Sequence, residues 1–161
     1  MNNIIIKKNL LVFIIFNILI AVFYLDIKHS VGNDSSVSEW LINYQGGFTR
    51  RGLGGELVIY LSNLFDISLR RSIFLIQASI HTTYLVLIYI YFKNLKLNII
   101  QLFALYAPIF LLYPISELEV LGRKEIFLFT FFITILFFSN KNYNHRIINS
   151  QIFFITPLIC L

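Results

Sequence analysis

No Asp, Glu, Lys or Arg occurs from Ser72 to Phe92, and the run is dominated by Ile, Leu, Tyr and Phe. A stretch of this length meets the roughly 20 residues that an α-helix needs to cross a bilayer. Residues 97–115 form a second such run; 9–25, 126–139 and 147–161 are shorter ones. The chain carries only 13% charged residues, against the roughly 25% with which a soluble domain covers its surface. Together these features predict an all-α protein, a polytopic transmembrane helix bundle of about five spans.

Residues 9–25 follow Lys7 and Lys8, as the apolar core of a signal peptide would. That core is typically about 7–15 residues long and ends in a small-residue cleavage site. This run is longer, and Ala21-Val22-Phe23-Tyr24-Leu25 offers no small-x-small pattern, so a retained helix is expected. The run 126–139 is short enough to need neighbours or a locally thinned membrane. In 147–161, Asn149, Ser150 and Gln151 confine the strongly apolar part to the last residues. The fifth span is therefore incomplete, and the reading is a single membrane domain over 1–161 from the N-terminal part of a longer protein.

One helix does not fit the spanning pattern. Residues 53–65 place Leu53, Leu57, Leu61, Leu64 and Phe65 at helical spacing, with Glu56, Ser62 and Asn63 elsewhere. That is an amphipathic helix expected to lie in the interface of the first outer loop.

Basic residues in short loops set the orientation. With the N-terminus inside, Lys7, Lys8, Lys93, Lys96, Lys141 and Arg146 are inner; Lys28, Arg50, Arg51, Arg70, Arg71, Arg123 and Lys124 are outer. The inner segments total about 20 residues and the outer ones nearly 60, roughly, so basic density favours a cytoplasmic N-terminus. A net charge of +5 arranged this way serves orientation and headgroups, not nucleic acid. The single Cys160 excludes an internal disulfide.

Two charged loops then share the outer face. The first contains Asn43-Tyr44-Gln45-Gly46-Gly47-Phe48-Thr49-Arg50-Arg51-Gly52-Leu53-Gly54-Gly55-Glu56, with five of the chain's seven glycines. Glycine allows a ligand close to the backbone, and paired guanidinium groups match phosphate. The bland alternative is a turn whose arginines reach lipid headgroups. The second loop, Ser116 to Glu125, holds Glu117, Glu119, Arg123, Lys124 and Glu125. Its carboxylates have the chemistry of a general base or a divalent-cation ligand, and its cations that of phosphate binding. Alone, it reads rather as a solvated hairpin with charges at helix ends; its place opposite the Arg-rich loop is what favours a functional reading.

Three weaker signals remain. His81 lies with Gln77 and Thr82 inside a span, where a neutral imidazole bonded to a neighbouring helix is the simpler expectation. Pro108 is expected to kink its helix. Asn33-Asp34-Ser35 fits a glycosylation triplet that arises easily by chance.

Residues 43–56, followed by Gly122-Arg123-Lys124-Glu125 after a proline-containing span, resemble a group of bacterial polytopic membrane proteins found with capsule or O-antigen biosynthesis genes. The resemblance implies a polysaccharide polymerase or a multi-spanning glycosyltransferase acting on polyprenyl-(pyro)phosphate-linked sugars at the outer face of the plasma membrane. It implies phosphate binding by Arg50, Arg51, Arg123 and Lys124. The acceptor base, or a divalent-cation ligand, would come from Glu56, Glu117, Glu119 or Glu125. Such proteins usually have ten or more spans, twice what this chain shows. A non-catalytic transporter or flippase-like lipid binder would use the same cations, and a truncated remnant would use none of them.

Overall fold

Helix α1 (Asn3–Ser30) continues past the apolar run, through Asp26 and Lys28, to nearly the end of its basic flank. The computed structural model describes residues 3–30, 34–47, 52–93, 95, 99–107, 112–117 and 120–139. Its remaining helices are α2 (Asp34–Trp40), α3 (Gly52–Phe65), α4 (Leu69–Phe92), α5 (Ile99–Tyr106), α6 (Tyr113–Ser116) and α7 (Ile126–Ser139). Every regular element among the described residues is helical.

Two segments, Lys8–Ser30 and Leu69–Phe92, are long and apolar enough to cross a membrane. At 1.5 Å per residue they measure about 34 and 36 Å, against a hydrocarbon core of about 30 Å. Helix α7 has 14 residues and reaches only about 21 Å. The expected run 147–161 lies outside the described residues.

The faces of α1 show what solvent it suits. Leu10, Ile14, Ala21 and Leu25 pack inward on Tyr84, Leu85 and Ile88 of α4. The opposite side presents Val12, Phe16, Leu19 and Phe23, all around 60% exposed. A helix that is apolar on both sides matches hydrocarbon better than water. The polar side chains of these helices behave accordingly. Ser79 Oγ donates to the Leu75 carbonyl (2.6 Å) and Thr83 Oγ1 to the Ser79 carbonyl (2.8 Å). Thr130 and Thr134 of α7 do the same to Ile126 and Thr130, and Asn17 Nδ2 donates to Phe13. Each closes on the carbonyl four residues back and needs no water.

The expected third span is not one helix. Helix α5 stops at Tyr106, with a last backbone bond from Ala107 to Phe103, and α6 is a separate turn. Pro108 disfavours the helical conformation of the residue before it, and Pro114 suits the first turn of a new helix. The segment still carries the chain back along α1. Tyr106 packs edge-on against Phe13 at 4.5 Å, whereas the Leu121 carbonyl accepts from Lys28 Nζ fifteen residues further along α1, about 22 Å away. Helix α7 therefore starts at the same end of the bundle as α4 and runs parallel to it. Gln77 meets Gly122 in the turn before α7, and seven residues further along each segment Tyr84 meets Phe129.

Helix α3 folds back on α4 as a hairpin. Asp66 takes φ +50°, and the Ile67 N–H bonds to the Ser62 carbonyl at 3.2 Å, a Schellman ending that fixes the turn. Ser68 then caps α4. Val58 packs with Ile73, Ile76, Val37 and Trp40 in a second core. The amphipathic pattern is present, but its apolar stripe points outward. Leu53, Leu57, Tyr60, Leu64 and Phe65 are exposed, and the buried side is Gly52, Gly54, Gly55 and Val58.

Candidate functional site

The turn that leads into α7 is built by successive local bonds. Val120 and Leu121 donate to the Glu117 carbonyl, Arg123 to Val120, and Phe127 to Lys124. Gly122 reverses the chain at φ +94°, where a side chain is strained. The carbonyls of this turn are held from three other elements. Trp40 Nε1 of α2 donates to the Gly122 carbonyl at 2.6 Å, and Gln77 Nε2 of α4 donates to the same oxygen at 2.8 Å. Lys28 Nζ of α1 reaches the preceding carbonyl, Leu121, at 2.6 Å.

These donors fix one another. The Gly122 carbonyl only accepts, so Gln77 must present its amide nitrogen to it and its oxygen to His29. His29 Nε2 consequently carries the proton that it donates to Gln77 Oε1 at 2.7 Å. Arg70 Nη1 donates to the His29 carbonyl at 2.8 Å, at the C-terminal end of α1, where a cation is favoured. His81 Nδ1 donates to the Gln77 carbonyl at 2.8 Å, four residues back on its own helix, and the Pro114 backbone of α6 also interacts with its ring. His29 Nδ1 and His81 Nε2 are buried without a hydrogen-bond partner.

The two charged loops meet at Gly54 and Lys124. A methyl group on Gly54 would lie 3.2 Å from Lys124 Cε and 3.5 Å from its Nζ, so the lysine stem runs directly over the first turn of α3. The absence of a side chain at Gly54 is what admits it. Of the other residues singled out in the sequence, Arg123 is exposed, as are Glu56 and Glu117. Glu125 is half-buried, and its Oε2 is buried with no hydrogen-bond partner. Arg50, Arg51 and Glu119 lie outside the described residues. Among the described residues no group of three or more His, Cys, Asp and Glu is placed to hold a metal ion.

Sequence reasoning passed over His29 and Trp40, used Lys28 only for orientation and Gly122 only as part of the Gly-Arg-Lys-Glu motif, and read Gln77 only as polar company for His81. The available signal was Trp40, the chain's only tryptophan, in a polar segment beside a span, where a buried indole N–H needs an acceptor. Gly122→Ala is expected to cost about 1–2 kcal/mol from its backbone conformation alone. The added methyl would also press Gln77 Nε2 from 3.3 Å. Thermal unfolding in detergent measures the loss.

No protein-family model, curated protein or solved structure matches this chain.

Proposed function

We propose that the chain is a glycan-assembling protein of the bacterial plasma membrane, with about five spans and a cytoplasmic N-terminus. It transfers or polymerises sugars from polyprenyl-(pyro)phosphate carriers at the outer face. The observation that carries this reading is the meeting of Lys124 with Gly54. It brings the Arg123-Lys124-Glu125 turn against the helix that begins one residue after Arg50-Arg51. Cations drawn from both loops would neutralise the phosphate as it leaves, where negative charge develops in the transition state. A glutamate would take the proton of the acceptor hydroxyl as that oxygen bonds to the sugar carbon. The outward apolar stripe of α3 supports an interfacial position, in which Leu53, Leu57, Tyr60 and Leu64 meet lipid at the headgroup boundary.

Sidedness is the first test. Single cysteines replace Thr49 and Val120 in a Cys160→Ser background, and intact cells are treated with a membrane-impermeant thiol reagent. Both positions are expected to label from outside. Labelling of one alone, with the other reacting only in opened cells, places the loops on opposite faces and removes the joint phosphate site.

A further inference from the structure

We propose that Trp40 and Gln77 are positioning residues, a double clamp on the Gly122 carbonyl that keeps the Arg123-Lys124 turn seated on the first turn of α3. The inference rests on the lipid-phosphate reading above and adds to it the residues that hold the site in shape. Trp40 and Gln77 touch no substrate in this role; they act through the turn.

A buried carbonyl needs one donor to be satisfied. Gly122 has two, one from α2 and one from α4, so the oxygen is tied to two elements at once. Neither donor is free to swing. Trp40 is fully buried, with its ring 5.6 Å from that of Phe127, in the first turn of α7. Gln77 is 1% exposed, and its amide oxygen is already engaged by His29 Nε2. Gly122 itself is buried at φ +94°, so the backbone on which the clamp closes has few other conformations available. Two residues after the clamped carbonyl, the Lys124 stem lies over Gly54. A loosened Gly122 would let that stem leave the first turn of α3. A site whose parts must sit within about 0.5 Å needs such support from behind.

The test uses the full chain in phosphatidylcholine nanodiscs, with a polyprenyl monophosphate as the probe and native mass spectrometry for affinity. Trp40→Phe keeps the ring and removes the N–H; Gln77→Met keeps the volume and removes the amide. Arg123→Ala/Lys124→Ala reports on the phosphate reading itself. The double basic variant is expected to weaken binding at least tenfold. Trp40→Phe and Gln77→Met are each expected to weaken it roughly threefold to tenfold. The melting temperature of Trp40→Phe should stay near that of the parent, because Gln77 still satisfies the carbonyl, whereas Gln77→Met also strips His29 Nε2 of its acceptor and should melt lower. A cysteine at Val120 (Cys160→Ser background) should label several times faster in both.

If the basic variant loses affinity while Trp40→Phe and Gln77→Met bind like the parent, the clamp is wrong and the phosphate reading stands. Unchanged binding in the basic variant overturns both. If both clamp variants fail to elute as monodisperse protein, the bonds serve folding itself and the positioning role is overturned.

Discussion

Gly55→Ala is expected to unseat α3 from the bundle, with a loss of about 2 kcal/mol and a fall in melting temperature of roughly 4–8 °C. The reason is local. A methyl group there would overlap the Ile42 carbonyl and lie 3.1 Å from Asn43 Cβ, with backbone on the obstructing side. Backbone has no rotamer by which to move away, so the helix must shift. Alanine's better helix propensity, about 1 kcal/mol over glycine, offsets only part of that cost. The neighbouring glycines make an internal scale. At Gly52 the obstruction is a side chain, the exposed ring of Tyr44, and not backbone, so Gly52→Ala should cost less. At Gly46 nothing lies within 4 Å, and Gly46→Ala should be silent. At Gly54 the obstacle is the flexible Lys124 stem, so Gly54→Ala should fold normally yet displace the lysine. Equal melting temperatures for all four variants would show that α3 does not pack as described.

That glycine series marks where the sequence was legible and where it was not. The end of α4 and both bounds of α7 follow from charge-free runs, because hydrocarbon admits no unpaired charge, whereas α4 begins at Leu69 and takes Arg70 and Arg71 into its first turn. Helix α3 was legible from the spacing of its leucines, but its buried side was not. Gly52, Gly54 and Gly55 are buried by close backbone approach, and no measure of hydrophobicity registers a missing side chain. The leucine stripe is the exposed side. Pro108 and Pro114 marked the interruption in 97–115, although a kink was expected where α5 ends. The polar hub was the least legible part. Its acceptors are the backbone carbonyls of Leu121 and Gly122, and its donors stand 45 to 93 residues away in sequence. A main-chain acceptor leaves no trace in residue identity, so nothing linked Trp40 to Gln77 before the fold was known.

Glu125→Gln is expected to cut glycosyl transfer by roughly 10²-fold or more, the range over which a positioned acid or base acts. The three candidate glutamates that the structure describes are not equivalent. Glu56 and Glu117 are exposed, and water would compete at every lone pair. Glu125 is half-buried, with Oε2 sheltered and without a hydrogen-bond partner, and it follows Arg123 and Lys124 in the clamped turn. A carboxylate oxygen with an unused lone pair, screened from water and next to the cations that would hold the phosphate, is placed as a base needs to be. Glu56→Gln and Glu117→Gln should change transfer by less than about threefold, far inside the range of a catalytic group; Glu119→Gln belongs in the same set. Affinity for the polyprenyl monophosphate should stay within about twofold of the parent in Glu125→Gln, since the cations are untouched. The two measurements together separate an enzyme from a carrier. Loss of transfer with binding retained assigns chemistry to this turn. If no glutamate variant alters the sugar's fate while Arg123→Ala/Lys124→Ala still abolishes binding, the protein grips its lipid without reacting it, and the transporter reading replaces the enzyme.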